Sequence, residues 1–161
     1  MIADALLAEA AALLDACREK GVVLATAESC TGGLIAGALT AIAGSSDVVD
    51  RGFVTYSIPA KIDMLGVSAD LIEQVGAVSR EVAEAMAAGA LARSQATMTV
   101  AVTGIAGPSG GSVEKPVGLV WFGLAARGVA VASERRVFPG DRTAIRAATV
   151  AHALGMIRAR V

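Results

Sequence analysis

Aromatic residues are scarce in this 161-residue chain: they make up 3% of it, with one tryptophan and one tyrosine. Such a chain offers few side chains on which the bases of a nucleic acid could stack. A surplus of positive charge is also missing, since 14 Lys and Arg stand against 15 Asp and Glu, for a formal net charge of −1. No overall basic field therefore favours DNA, RNA or an anionic membrane surface as a partner.

Residues that typically hold metals are equally few. Cys17 and Cys30 are the only cysteines and His152 is the only histidine, and their spacing is not that of a zinc site, so we expect no metal. His152 falls deep in the last predicted helix with no carboxylate beside it in the sequence, which disfavours a Ser-His-Asp triad. Two thiols without an export signal indicate a reduced, cytoplasmic setting.

Long apolar runs are missing, although the mean hydropathy of +0.63 is high. The apolar run over residues 34–43 is too short to cross a bilayer, which takes about 20 apolar residues. The N-terminus carries Asp4 and Glu9 where a signal peptide would be basic and then apolar. We therefore expect a folded protein without a membrane partner, whose hydropathy comes from Ala and Val in its interior.

What the sequence does contain is an alternation of helical and strand patterns. The patterning predicts helices over residues 2–19, 34–42, 58–65, 79–93 and 141–160, with strands over 22–25, 53–56, 98–103, 117–126 and 129–138. This order predicts an α/β fold, a three-layer α/β/α sandwich with a mixed, mostly parallel sheet. Because no repeat or linker interrupts it, we expect residues 1–161 to form a single domain.

Polar turns follow three of the predicted strands, over residues 28–33, 55–57 and 103–108. If these strands are parallel, the three turns lie at one edge of the sheet, where sites in such folds collect. Ser29 stands at a strand-to-helix junction, where unpaired backbone N–H groups can stabilise an oxyanion or a phosphate, and Gly32 and Gly33 let a ligand approach the backbone. The alternative is that Ser29 or Thr31 only caps the following helix.

A serine nucleophile needs a base, and Lys61 is the best candidate, because burial can lower the pKa of a lysine until its amine is neutral. Tyr56, at a predicted strand end, could orient Lys61 or relay a proton. The competing interpretations are a solvated helix lysine and a half-buried packing tyrosine. Cys30 is a weaker rival nucleophile, and a small buried apolar role suits it better.

The segment from Gly104 to Gly111 is rich in glycine, but it is neither a GxGxxG nor a Walker motif. A phosphate-binding loop and a mobile loop remain equally open. Arg142, near the start of the last helix, could clamp a phosphate or form a surface salt bridge.

Several of these segments together resemble the CinA C-terminal domain family. The resemblance is carried by Thr26-Ala-Glu-Ser-Cys-Thr-Gly-Gly33, Gly52-Phe-Val-Thr-Tyr-Ser57, Lys61 with Leu65-Gly-Val67, Gly76-Ala-Val-Ser79, and Thr103-Gly-Ile-Ala-Gly-Pro108 with Lys115-Pro-Val-Gly118. It covers about residues 5–158, and the separate motifs occur in the family's order.

Stand-alone members of this family are nicotinamide-nucleotide amidohydrolases, so the resemblance implies hydrolysis of the carboxamide of nicotinamide mononucleotide to nicotinate mononucleotide and ammonia. It implies catalytic roles for Ser29, Tyr56 and Lys61, and substrate or phosphate contacts for Thr103 and Arg142. It also implies a three-layer α/β/α fold, no metal or other cofactor, a small nucleotide as the substrate and a homo-oligomer.

The mechanism that we expect from this resemblance has Lys61, helped by Tyr56, activate Ser29 for attack on the amide carbon. The groups expected to contact the substrate are backbone N–H groups around Cys30, Thr31, Gly32 and Gly33 for the oxyanion, and Arg142, Thr103 and the backbone of Gly104 to Gly107 for the phosphate. One departure is Ile58, where the family usually has Asn. It supports a different hypothesis, that of a catalytically silent nucleotide-binding or regulatory module.

Overall fold

The computed structural model describes residues 1–161 and contains a five-stranded sheet, six α-helices and a short 3-10 helix, Ser45–Asp47. The strands are β1 (Leu24–Glu28), β2 (Val49–Val54), β3 (Met98–Gly104), β4 (Leu119–Ala126) and β5 (Ala132–Val137). The helices are α1 (Asp4–Lys20), α2 (Leu34–Thr40), α3 (Ile58–Leu65), α4 (Ala69–Val75), α5 (Arg80–Ala92) and α6 (Arg142–Arg158).

The strand order is β2-β1-β3-β4-β5. Strand β1 pairs in parallel with β2 and β3, with Glu28 opposite Val54 and Val102, whereas β4 pairs antiparallel with both β3 and β5. Only β4 therefore runs against the other strands, which confirms the predicted mixed sheet. The carboxyl ends of β1, β2 and β3 lie at one edge, as we expected for the three polar turns.

Helices cover both faces of the sheet. Helices α1, α2 and α6 pack together on one face over the larger hydrophobic core, which includes Leu14, Phe122 and Leu154. Helices α3, α4 and α5 cover the other face over a smaller core that includes Leu65 and Met86. The predicted three-layer α/β/α architecture is thus confirmed. No helix has the combined length and hydropathy that a bilayer crossing demands.

Two strand boundaries were predicted wrongly. Strand β1 continues to Glu28 instead of ending at residue 25, because its polar side chains find hydrogen-bond partners within the protein. Strand β2 covers Val49–Val54 instead of residues 53–56. It is an edge strand, so the charged pair Asp50 and Arg51, which looks unfavourable in a buried strand, is accommodated at the surface.

Candidate functional site

Ser29 and Lys61 meet at the carboxyl-terminal edge of the sheet. Lys61 Nζ lies 2.9 Å from Ser29 Oγ and donates a second hydrogen bond of 2.8 Å to the Thr55 carbonyl. The two side chains come from different layers, since Ser29 follows β1 and Lys61 belongs to α3. The structure therefore brings together the predicted nucleophile and the predicted base.

Local sequence places Lys61 one turn into α3. Ser57 caps this helix by accepting a hydrogen bond from Ala60 N at 3.1 Å, and Pro59 occupies its first turn. The Lys61 side chain is only 2% exposed, so the alternative of a solvated lysine is wrong. Burial lowers the pKa of Lys61 from 10.5 to about 8. About a tenth of this amine is consequently neutral at pH 7 and about half at pH 8, so a neutral form that can act as a general base is present.

The turn over residues 29–33 carries the nucleophile. Gly32 and Gly33 have φ values of 59° and 98°, which side chains other than glycine rarely adopt. The backbone N–H groups of Cys30, Thr31 and Gly33 have no hydrogen-bond acceptor within the protein. Neither Ser29 nor Thr31 caps α2, so that alternative is also wrong; the N-cap is Gly33, without a side-chain bond. The turn thus presents three unused donors beside Ser29.

Glu28, which the sequence reasoning left without a role, organises the other side of this turn. Its carboxylate is fully buried and accepts hydrogen bonds from the backbone N–H groups of Ile35 and Ala36 and from the hydroxyls of Thr26 and Thr31. The carboxylate thereby occupies the N-terminus of α2, where the helix dipole favours a negative charge. A single charged residue at the end of an otherwise uncharged strand was the signal that could have identified it.

Arg146, on the second turn of α6, was also missed. Its Nε donates to the Cys30 carbonyl at 3.1 Å and its Nη2 donates to the Thr31 carbonyl at 3.0 Å. It holds no salt bridge, so its bonds within the protein are those to the turn that carries Ser29. Its position four residues after Arg142, on the same helix face, was the available signal.

Tyr56 and Arg142 contact each other at the surface. Arg142 Nη2 donates to the Tyr56 hydroxyl at 3.0 Å, and Arg142 Nη1 donates to the Gly107 carbonyl at 2.9 Å. Tyr56 is 60% exposed, so it is not a half-buried packing residue, and its hydroxyl makes no hydrogen bond to Ser29 or Lys61. The alternative interpretation of Arg142 was a surface salt bridge, and Arg142 forms none. It borders a cavity of about 450 Å³ that Ala106, Pro108 and Thr143 also line.

Thr103 and Gly104, at the end of β3, have structural tasks. Thr103 is fully buried, and its hydroxyl donates to the Ala77 carbonyl at 2.8 Å. A Cβ at Gly104 would lie 2.8 Å from the Leu119 carbonyl oxygen, so close packing against β4 explains this glycine.

Two further side chains that could react, Cys30 and His152, form no hydrogen bond with the Ser29 and Lys61 side chains. Cys30 is buried, and burial raises its thiol pKa to about 11, which keeps the thiol protonated and unreactive. His152 does have a carboxylate partner, Glu134, at 2.9 Å, but it packs against Phe122 and makes no bond to Ser29. No group of three or more His, Cys, Asp or Glu side chains converges to hold a metal ion.

The fold and this site define an α/β protein in which a buried amine contacts a serine hydroxyl at the end of a parallel strand. The sequence model of the CinA C-terminal domain matches residues 7–161. The chain therefore belongs to the CinA C-terminal domain family.

Similar proteins agree with this assignment. The nicotinamide-nucleotide amidohydrolase PncC of Enterobacter agglomerans is 56% identical over 131 residues, which is 81% of this chain and 80% of that protein. PncC of Escherichia coli K12 is 51% identical over 140 residues, covering 86% and 84% of the two chains. The crystal structure of the competence/damage inducible protein CihA from Agrobacterium tumefaciens superposes with a TM-score of 0.95 at 54% identity, covering 99% and 97%.

Proposed function

We propose that this protein is an amidohydrolase that converts nicotinamide mononucleotide to nicotinate mononucleotide and ammonia, in pyridine-nucleotide salvage. Two relatives at 51–56% identity are described as nicotinamide-nucleotide amidohydrolases. The observation that carries the chemistry is the 2.9 Å contact between Lys61 Nζ and Ser29 Oγ. A serine next to a buried amine is a nucleophile with its base already in place.

In the first half of the reaction, neutral Lys61 takes the Ser29 proton as Oγ attacks the carboxamide carbon. The free N–H groups of Cys30, Thr31 and Gly33 hold the oxyanion of the tetrahedral intermediate. The Lys61 ammonium, held by the Thr55 carbonyl, then gives its proton to the departing nitrogen. Ammonia leaves, and a nicotinoyl ester of Ser29 remains.

In the second half, a water molecule attacks this ester while Lys61 accepts one of its protons. The tetrahedral intermediate collapses, Lys61 returns the proton to Ser29 Oγ, and nicotinate mononucleotide is released. The reaction consumes one water and yields one acid and one ammonia, so it balances without an oxidant, a reductant or a group donor.

Arg142 supplies the contact to the substrate phosphate. Its guanidinium forms no salt bridge and borders the 450 Å³ cavity, which lies within the size range of small-molecule sites and which Asp141 also lines. Tyr56, bonded to this arginine, acts beside the substrate rather than on Lys61. Thr103 and the backbone from Gly104 to Gly107 support this part of the site by fixing the loop whose Gly107 carbonyl accepts from Arg142.

The whole chain acts as one cytoplasmic domain whose partner is the small nucleotide, without nucleic acid or membrane, and copies of it form a homo-oligomer. Exposed apolar side chains support the homo-oligomer: Val54, Tyr56, Ile58 and Met64 follow or flank the free edge of β2. Such a patch beside an unpaired strand edge suits contact with a second copy.

The direct test is ammonia release from nicotinamide mononucleotide by the wild type and by Ser29→Ala and Lys61→Ala. Each substitution should lower kcat by about 10³-fold or more, since removing a nucleophile or its base has effects of this order. Ser46→Ala and Lys20→Ala, at exposed positions, are the matched controls and should retain full activity. Unchanged turnover in Ser29→Ala would end the assignment.

The other candidate is a catalytically silent nucleotide-binding module. Ile58, 46% exposed at the start of α3, favours it, because an apolar side chain stands where the family usually has the polar Asn. Calorimetry distinguishes the two: binding of the mononucleotide without ammonia release would establish the silent module, whereas turnover rejects it.

A further inference from the structure

The peptide groups around Ser29 have their directions set from outside the turn. In a planar trans peptide, the N–H of one residue points opposite to the C=O of the residue before it. A donor that holds the Cys30 carbonyl therefore also sets the direction of the Thr31 N–H. Arg146 Nε is that donor, at 3.1 Å.

The same guanidinium reaches one peptide further. Arg146 Nη2 donates to the Thr31 carbonyl at 3.0 Å, and the Leu34 N–H donates to the same carbonyl at 3.2 Å, so the two together set the direction of the Gly32 N–H. That N–H donates to the Ser29 carbonyl at 3.0 Å, and this bond in turn sets the direction of the Cys30 N–H. Arg146 thus orients the Thr31 N–H directly and, together with Leu34, helps to orient the Cys30 N–H through Gly32; neither of these two N–H groups has an acceptor of its own.

The turn needs such support because its glycines leave the backbone free to adopt other conformations. Glu28 fixes the helix side, where it occupies the N–H groups of Ile35 and Ala36. Those helix donors are consequently not available to an oxyanion. The N–H donors that remain available to an oxyanion lie in the turn itself. Arg146 binds the carbonyl groups of that turn.

We propose that Arg146 is a positioning residue that aligns the oxyanion-binding N–H groups of Cys30 and Thr31. This inference rests on the proposed amide hydrolysis at Ser29. Arg146 acts through the backbone and leaves the phosphate to Arg142, so its loss should affect the transition state more than substrate binding.

The experiment compares ammonia release by the wild type, Arg146→Met and Arg146→Lys, with Arg158→Met as the control for loss of an arginine on the same helix. We expect kcat to fall by about 10- to 100-fold in Arg146→Met, less than or comparable to the loss of one oxyanion donor. KM should stay within about threefold, and the pH midpoint set by Lys61 should not move, because neither phosphate contact nor base has changed. The lysine of Arg146→Lys can still reach one carbonyl, so the kcat of this variant should lie between those of the wild type and Arg146→Met.

A second readout does not depend on the substrate. A fluorophosphonate probe forms a bond between Ser29 Oγ and phosphorus, expels fluoride and passes the serine proton to Lys61, while its phosphoryl oxygen occupies the oxyanion donors. Labelling should slow in Arg146→Met and not in Arg158→Met.

The outcomes separate the two proposals. Wild-type turnover with kcat of Arg146→Met unchanged within twofold overturns the role of Arg146 alone, as does a rise in KM at constant kcat. A wild type that releases no ammonia overturns the proposed function, and the labelling rates then decide the role of Arg146. If Arg146→Met does not fold, Arg146→Lys decides by the same criteria at a temperature where its melting curve shows it folded.

Discussion

Replacing Lys61 by methionine tests the central physical claim, that the fold holds this amine in a setting where its charge is disfavoured. Methionine has a similar length and no titratable group. In the unfolded chain Lys61 keeps its proton up to about pH 10.5, whereas burial in the folded protein lowers this pKa to about 8. Between these values the unfolded state binds more protons, so the free energy of unfolding must rise with pH.

The size of this effect follows from the two pKa values. Their full difference corresponds to about 3 kcal/mol at 25 °C, and about 2.5 kcal/mol of it is gained between about pH 7 and pH 10. The buried thiols Cys17 and Cys30, whose pKa values burial raises to about 11, act in the opposite direction. The contribution of Cys17 cancels when the wild type is compared with Lys61→Met, because Lys61 has no part in its shift. The Lys61 charge lowers the Cys30 pKa, but burial is the larger cause and is the same in both proteins, so the Cys30 contribution cancels in its main part.

The assay is urea unfolding of the wild type and Lys61→Met across this pH range. The difference between their unfolding free energies should shift by about 2.5 kcal/mol in favour of the wild type as the pH rises. Lys20→Met, at the exposed end of α1, is the matched control, and its curve should run parallel to that of the wild type. Parallel curves for Lys61→Met would refute the claim that burial makes this lysine a base.

Three further predictions follow from the same geometry. The kcat/KM for ammonia release should rise about tenfold per pH unit below about 8 and level off above it, as neutral Lys61 accumulates; a pH-independent rate would contradict Lys61 as the base. Glu28→Gln should lower the free energy of unfolding by about 2–4 kcal/mol in urea, because its amide NH₂ would face helix N–H donors; Glu73→Gln, exposed on α4, should change it by less than about 0.5 kcal/mol. Thr55→Val should leave the free energy of unfolding unchanged or raise it by up to about 1 kcal/mol, because the Thr55 hydroxyl is buried without a partner. A decrease of more than about 1 kcal/mol, measured by urea unfolding, would show that the hydroxyl is hydrogen-bonded.

The fold was predictable from the sequence because helix and strand patterns alternate clearly and the helix ends carry recognisable signals. Gly21 ends α1 in the left-handed conformation, and Ser79 and Asp141 cap α5 and α6 with their side chains. The boundaries of β1 and β2 were not predictable in the same way. Their polar residues are accommodated by tertiary partners and by an edge position, which no local pattern reveals.

The site was predictable in part, for a related reason. Ser29 and Lys61 lie on segments that a parallel sheet brings to one edge, so topology alone suggested that they could meet. The roles of Glu28 and Arg146 depend on which backbone groups remain unpaired after folding. The backbone partners of Glu28 lie 7 and 8 residues away in the sequence, and those of Arg146 lie 116 and 115 residues away. The sequence marks Glu28 as a charged strand end and Arg146 as a neighbour of Arg142 on one helix face, but it does not show which backbone groups they bind, and for that reason both roles were missed.

Burial at this edge of the sheet has opposite consequences for the reactivity of two neighbouring groups, Lys61 and Cys30. The same removal from water that lowers the pKa of Lys61 to about 8 raises that of Cys30 to about 11, because it disfavours the ammonium and the thiolate alike. The amine therefore becomes a usable base while the thiol becomes inert. This contrast favours Ser29 as the nucleophile that we propose, although a cysteine stands next to it in the chain, because a hydroxyl needs no prior ionisation when a base contacts it.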